Sequence, residues 1–212
     1  MQKIYIFDLD GTLVDSMPTG VGIVLGFLDK KGIPYPDDIV TRLTPLGYKG
    51  SAKYIADHLT GGYSVEQIYE YFKSETLRAY GETIPLKANV KETLEKLKAQ
   101  GCRLNVLTAS PQLLTDICTK RLGIYDLFEN VWSIDAFGGL TKADEAIYME
   151  AAKRMGATPQ DCVMVDDNLK VLQTAKKVGM ATIGVYDDSS KDVMEKMRAI
   201  ADKYAVDFAD IL

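Results

Sequence analysis

Four short apolar runs recur along the chain, and each one ends at or close to a side chain that carries oxygen. The runs span residues 4–7, 104–107, 162–165 and 182–185. Short runs that are rich in β-branched residues and almost continuously apolar are typical of parallel strands buried on both faces. Patterns of helical spacing lie between the later runs, over 88–100, 110–123, 144–155 and 168–178. The alternation predicts an α/β fold, a doubly wound parallel sheet with helices on both faces.

The segment 17–84 interrupts this alternation. It shows helical patterns over 19–31, 37–43, 51–59 and 64–80 and no convincing strand, and Ser64 followed by Gln67 predicts a capping box. We therefore predict an α/β core domain formed by residues 1–16 and 85–212, and an inserted all-helical cap domain formed by residues 17–84. The last residues, 207–212, fit either a final strand or a loose end.

Charge and composition exclude several classes of function. The chain has 30 acidic and 25 basic residues, a net charge of -5, whereas a nucleic-acid-binding protein would present a basic face. It has one histidine, His58, and three widely spaced cysteines. Multi-histidine metal sites and disulfide frameworks are therefore excluded, and unpaired thiols fit a reducing compartment. Acid–base and metal chemistry must come from carboxylates.

The N-terminal residues lack a signal-peptide core, and the longest apolar stretch is too short to span a bilayer. We therefore expect a cytoplasmic protein that has no membrane or nucleic-acid partner. We also expect the chain to be a monomer or a weak dimer.

The ends of the predicted strands carry a set of oxygen-bearing side chains. Ligands of open parallel sheets bind outside the carboxyl ends of the strands. The residues placed there are Asp8, Asp10, Thr108, Asp166 and Asp167. Because converging carboxylates repel one another, they favour a cation among them, and a site made of oxygen ligands alone favours Mg²⁺. A turn or a helix N-cap explains each aspartate taken singly, but does not explain the whole set.

The run Asp8-Leu9-Asp10-Gly11-Thr12, with Thr108, Lys142 and Asp166-Asp167, resembles the four signature motifs of the haloacid dehalogenase-like (HAD) hydrolase superfamily. The order of the motifs also matches, and the resemblance covers nearly the whole chain. It implies a Rossmann-like core, and the insertion lies where members with a small helical cap carry theirs. Within the superfamily, the chain is similar to the phosphoglycolate phosphatase and β-phosphoglucomutase branch.

This resemblance implies a Mg²⁺-dependent phosphatase that acts on a small phosphorylated metabolite through an aspartyl-phosphate intermediate. Asp8 would be the nucleophile, and Asp10 would act as general acid and then as general base. Lys142 and Thr108 would bind the phosphate, aided by Ala109 and by the amides at the start of a helix capped by Ser110. The metal ligands implied by the resemblance are Asp8, the backbone carbonyl of Asp10, Asp166 and Asp167.

Two positions depart from the pattern of the superfamily. Ala109 stands where many relatives have asparagine, and Val171 stands where an acidic residue is common. Asp166 would replace the missing acidic residue in the metal site, either directly or through water.

Substrate selection would fall to the cap, where Arg42, Tyr48 and Lys49 are the candidate substrate-binding residues. Gly47 and Gly50 flank the last two, and such spacing suits a loop that folds over the active-site crevice, although a helix–helix turn explains it equally well. Phosphoglycolate and sugar phosphates are both compatible substrates. Two alternatives stay open, a phosphomutase of the β-phosphoglucomutase type and a non-catalytic phosphate-binding or regulatory protein.

Overall fold

The computed structural model describes residues 3–59 and 61–212, apart from the side chain of Pro45. The chain divides into two compact units. Met1–Asp15 and Pro85–Leu212 form one of them, called here the core unit, and Ser16–Ile84 form the other, called the helical unit.

The strands of the core unit form one parallel sheet. In the described part of the chain they are β1 (Ile4–Phe7), β2 (Arg103–Thr108), β3 (Asn130–Ser133), β4 (Cys162–Asp166), β5 (Ala181–Val185) and β6 (Lys203–Ala205). Their order in the sheet is β3-β2-β1-β4-β5-β6, and every pairing is parallel. The predicted doubly wound α/β fold is therefore confirmed. The sequence patterns missed β3 and β6, which are short edge strands without a continuous apolar run.

Helices surround the sheet in the core unit and make up the helical unit. Among the described residues, the helical unit contains α1 (Met17–Lys31), α2 (Ile39–Leu43), α3 (Gly47–His58) and α4 (Val65–Glu82). The core unit contains α5 (Val90–Ala99), α6 (Gln112–Arg121), α7 (Glu145–Arg154), α8 (Leu169–Lys177) and α9 (Met194–Ile200). The capping box predicted at Ser64 and Gln67 is present at the start of α4. None of these helices has the length and apolar character needed to cross a membrane.

Strand β1 is central and is buried on both faces, as its apolar sequence predicts. Ile4 and Ile6 belong to one apolar cluster with Tyr148 of α7. The Phe7 ring packs instead against Phe208, with ring centroids 6.0 Å apart. Burial of each such side chain contributes about 1.5–3 kcal/mol to folding. Phe208 lies in a short 3₁₀ turn after β6, so the C-terminal residues form neither a further strand nor a loose end.

The strand order reverses beside β1. Phe7 pairs with Val106 of β2 on one side and with Val165 of β4 on the other. Because the chain builds the sheet outward from β1 in both directions, the strand order reverses between β1 and β4. Open parallel sheets bind their ligands at such a reversal, outside the carboxyl ends of the strands.

The helical unit corrects one prediction. Gly47 to Gly50 do not form a loop, because they are the first residues of α3. Tyr48 packs against Phe72 with ring centroids 5.4 Å apart, and this apolar packing outweighs the low helix propensity of Gly50, about 1 kcal/mol. A Cβ at Gly50 would come 2.8 Å from the Cβ of Leu46, which accounts for a glycine inside the helix.

Candidate active site

Three aspartates meet at the carboxyl ends of β1 and β4. Asp8 follows β1, and its backbone N–H donates to the carbonyl of Val165 at 2.9 Å, which continues the strand pairing. Asp166 ends β4 and Asp167 follows it. Each of the three offers a carboxylate oxygen, these oxygens lie within 4.8 Å of one another, and all three residues are buried.

A buried lysine lies against two of these carboxylates. The Lys142 Nζ is 2.7 Å from Asp8 Oδ1 and 2.5 Å from Asp166 Oδ2. Burial would lower the pKa of Lys142, but Asp166 and Asp8 together raise it well above its usual range, so the ammonium stays charged at neutral pH. The Tyr148 hydroxyl donates to the Lys142 carbonyl at 2.6 Å and holds this loop residue in place.

The single ammonium of Lys142 is too little positive charge to neutralise the three carboxylates of the cluster. Burial raises the pKa of Asp8, and neighbouring carboxylates add to this effect while Lys142 opposes it. Burial and Asp166 raise the pKa of Asp167 to about 7. A buried set of oxygen donors with these shifts fits a divalent hard cation, which would neutralise the carboxylates and offer them ligand bonds. Asp8, Asp166 and Asp167 are the residues that could hold it.

The turn after β1 brings the backbone close to this cluster. Gly11 has φ +81, and a Cβ at this position would come 2.6 Å from Asp167 Oδ2. Thr12 Oγ1 donates to Asp167 Oδ1 at 2.9 Å and accepts from the Asp167 amide at 3.1 Å. The glycine therefore lets the turn approach the carboxylate, and the threonine fixes that carboxylate in position.

Replacing Gly11 by alanine is expected to cost both stability and activity. A left-handed backbone conformation costs an L-residue about 1–2 kcal/mol, and here the added methyl group would also displace the Asp167 carboxylate. The matched control is Gly156→Ala, because Gly156 has φ +68 but a Cβ there would meet nothing within 4 Å. Denaturant unfolding should show a larger stability loss for Gly11→Ala than for Gly156→Ala. Phosphate release should fall in Gly11→Ala only. Equal behaviour of the two variants would show that the approach to Asp167 is unimportant.

The end of β2 contributes a second group of polar residues. Thr108 is buried, and its Oγ1 accepts from the amide of Ser110 at 3.1 Å. Ser110 Oγ donates to Asp10 Oδ2 at 2.6 Å, and the intervening Ala109 is exposed. The prediction that Ser110 caps the next helix is wrong, because α6 begins at Gln112 and Pro111 occupies the N-cap position.

Sequence reasoning missed the contact between Ser110 and Asp10. The available signal was a hydroxyl two residues after Thr108, close to the same strand end. The side chain of Asp10 is not part of the described carboxylate cluster, and metal binding through its backbone carbonyl stays a prediction.

Two of the candidate substrate-binding residues, Arg42 and Tyr48, have partners within the helical unit. Arg42 pairs with Asp38 at 2.8 Å and donates to the Tyr54 hydroxyl at 3.2 Å. Tyr48 is half-buried and Lys49 is exposed on α3. Their part in substrate binding stays a prediction.

The chain is similar to known hydrolases over most of its length. A family model for haloacid dehalogenase-like hydrolases matches residues 2–179. A phosphorylated carbohydrates phosphatase of Thermotoga maritima is 26% identical over 181 residues, which are 84% of this chain and 82% of that protein. A phosphoglycolate phosphatase of Xanthomonas campestris is 28% identical over 189 residues, 85% of this chain and 81% of that protein.

A likeness to solved structures supports the fold. The crystal structure of a candidate β-phosphoglucomutase from Thermotoga maritima matches with a TM-score of 0.85 and 24% sequence identity, covering 100% of this chain and 97% of that one.

Proposed function

We propose that this chain, which belongs to the haloacid dehalogenase-like hydrolase family and is a phosphatase, hydrolyses a small phosphorylated metabolite through an aspartyl-phosphate on Asp8, with Mg²⁺ as its metal. The observation that carries the proposal is the buried cluster of Asp8, Asp166 and Asp167 against the Lys142 ammonium at the carboxyl ends of β1 and β4. Phosphoryl transfer needs positioning and charge neutralisation above all, and this cluster is suited to both.

The metal would be held by the carboxylates of Asp8, Asp166 and Asp167, together with the backbone carbonyl of Asp10. When bound, Mg²⁺ would offset the negative charge shared by these carboxylates and the phosphoryl group. Among the residues that the structure describes, the cluster consists of carboxylates alone, without nitrogen or sulfur ligands, which supports Mg²⁺ over softer metals.

In the first half-reaction, a carboxylate oxygen of Asp8 attacks phosphorus. The bond between phosphorus and the ester oxygen breaks, and the departing oxygen takes a proton from the Asp10 carboxyl group. Lys142 neutralises charge at Asp8 and at the phosphoryl group, and the Thr108 hydroxyl donates a hydrogen bond to a phosphoryl oxygen. The products of this half are the free alcohol and an aspartyl-phosphate.

In the second half-reaction, Asp10 is a carboxylate and serves as the base. It takes a proton from water, whose oxygen attacks the phosphorus of the aspartyl-phosphate. The bond between phosphorus and the Asp8 oxygen breaks, so inorganic phosphate leaves and Asp8 is regenerated. Ser110 holds the Asp10 carboxylate by the 2.6 Å hydrogen bond, which fixes the direction in which Asp10 can deliver and take protons.

Replacing Asp10 by asparagine is expected to slow turnover by about 10²–10⁴-fold, the usual contribution of general acid–base assistance. The loss should be larger for an alkyl phosphate, whose alcohol leaves poorly without a proton, than for an aryl phosphate. Steady-state rates on one substrate of each kind would test this expectation. An unchanged rate on the alkyl phosphate would contradict the role assigned to Asp10.

The substrate class can be tested with a panel of phosphate esters. Phosphate release would be measured from phosphoglycolate, hexose 1- and 6-phosphates, nucleotides and an aryl phosphate, with Mg²⁺ or with EDTA. The similarity to phosphatases of phosphorylated carbohydrates and of phosphoglycolate supports these as the first compounds to test. Release that requires Mg²⁺ supports the proposal. Exchange of phosphate between sugar positions without release would favour a phosphomutase, and the absence of both would favour a phosphate-binding protein.

A further inference from the structure

Lys87 lies where the chain re-enters the core unit, and its ammonium group contacts three partners. Nζ donates to the carbonyl of Gly11 at 2.5 Å and to the carbonyl of Tyr186 at 2.6 Å, and it pairs with Asp187 Oδ2 at 2.8 Å. An ammonium has three N–H donors, so these contacts use all of them. The Lys87 side chain is 18% exposed and that of Asp187 is 4% exposed, so water competes little for these bonds.

The backbone beside Lys87 holds the same turn. The Lys87 amide donates to the carbonyl of Leu13 at 3.0 Å, and Leu86 forms an antiparallel bridge with Val14. Both the main chain and the side chain of Lys87 therefore hydrogen-bond the turn that follows Asp10. Tyr186 and Asp187, which follow β5, are joined to this turn through the same ammonium.

The turn held by Lys87 is the one that approaches the carboxylate cluster. Gly11 lies so close to Asp167 that an added Cβ would come 2.6 Å from its Oδ2, and Thr12 bonds the same carboxylate. The Gly11 carbonyl held by Lys87 is one peptide unit from the Asp10 carbonyl. A shift of this turn would therefore move the Asp10 carbonyl, a proposed metal ligand, and disturb the carboxylate of Asp167.

We propose that Lys87 is a positioning residue for the metal site. It holds the turn at Gly11 against the residues that follow β5. This inference rests on the proposed Mg²⁺-dependent function and adds a residue outside the four signature motifs. In the proposed role, Lys87 contacts neither the substrate nor the metal. It acts through the Gly11 carbonyl, and its effect should therefore appear first in the affinity for the metal.

Lys176 offers a matched control, because it makes similar bonds elsewhere in the core unit. Its Nζ donates to the carbonyl of Ile200 at 2.7 Å and pairs with Asp202 at 2.7 Å. Asp202 in turn accepts from the amide of Thr182, near the start of β5. This contact lies at the amino ends of the strands, whereas the carboxylate cluster lies at their carboxyl ends. A lysine whose bonds serve stability alone should behave as Lys176 does.

The experiment compares Lys87→Met with Lys176→Met and the wild-type protein. Binding of Mg²⁺ to each protein would be measured by calorimetry without substrate, and thermal unfolding would be followed in EDTA. Removing groups that orient metal ligands typically weakens metal affinity by about 10–100-fold, and we expect a loss in this range for Lys87→Met. Lys176→Met should keep the wild-type affinity. The Mg²⁺ concentration that gives half-maximal phosphate release should rise by the same factor.

Equal Mg²⁺ affinities of the two folded variants would overturn the proposal. Where Lys87→Met fails to fold, Lys87→Arg replaces it, since arginine keeps the charge but changes the donor geometry. Weakened Mg²⁺ binding in a normally melting Lys87→Arg would support the proposal, and unchanged binding would overturn it. Wild-type protein that binds Mg²⁺ but releases no phosphate from any substrate would contradict the proposed function, while the calorimetric comparison would still decide the role of Lys87.

Discussion

Asp8→Asn is expected to abolish phosphate release while leaving the fold intact. The asparagine amide is not a nucleophile toward phosphorus, so no aspartyl-phosphate can form. Removing a member of a nucleophilic catalytic unit typically lowers kcat by about 10⁴–10⁶-fold. The substitution also removes one of three mutually repelling buried carboxylates, which offsets part of the lost ion pair with Lys142. Phosphate release at saturating Mg²⁺ and circular dichroism would measure the two effects.

Asp202→Asn is the matched control for this substitution. Asp202 also pairs with a lysine at 2.7 Å, but it is not part of the carboxylate cluster and lies beside the start of β5. It should keep wild-type activity. Retained activity in Asp8→Asn would remove Asp8 as the nucleophile, whereas loss of activity in both variants would indicate a general effect on the fold.

Lys142→Met is expected to lower the free energy of unfolding as well as activity. Methionine keeps much of the volume of lysine but leaves the buried carboxylates of Asp8 and Asp166 without their ammonium partner. Removing one partner of a buried ion pair typically costs about 3–5 kcal/mol. Urea unfolding in EDTA would measure this cost without compensation from a metal.

Lys176→Met serves as the control here too, because its side chain is 45% exposed and exposed ion pairs contribute about 0–1 kcal/mol. The unfolding free energy of Lys142→Met should fall well below that of this control. Added Mg²⁺ should restore part of the lost stability by neutralising the unpaired carboxylates. A stability equal to that of Lys176→Met would show that Lys142 is not required to balance the cluster.

The centre of the sheet could be predicted from sequence because its strands are buried on both faces. Residues 4–7 and 162–165 are apolar throughout, and they form β1 and most of β4, whose carboxyl ends meet at the carboxylate cluster. Strand β3 escaped prediction because three of its four residues are only half-buried, so no apolar run marks it. Strand β6 has three residues, of which Ala205 alone is buried.

The signature residues could be placed at strand ends because position along a strand is a local property. Contacts made by residues outside the strand ends could not be predicted in this way. Lys142 lies in a loop, and its approach to Asp8 and Asp166 depends on the packing of the whole core unit. The same is true of Lys87, whose partners are 76 residues away at Gly11 and 99 residues away at Tyr186.

The helical unit was predicted less well where apolar packing overrides local preference. Glycines on either side of Tyr48 and Lys49 favour a loop. The ring of Tyr48 instead packs against Phe72, and α3 includes all four residues. Propensity is a weak guide wherever a large side chain can be buried.

The role of Asp8 as nucleophile can be tested by looking for the covalent intermediate. The enzyme would be mixed with Mg²⁺ and an intact phosphate ester that it is known to hydrolyse. The mixture would be quenched in acid within the first turnovers, digested, and examined by mass spectrometry. We expect a phosphoryl group on Asp8, absent from protein mixed in EDTA and from Asp8→Asn. Phosphate release without any phosphorylated protein, or a phosphoryl group on a different residue, would show that Asp8 is not the nucleophile.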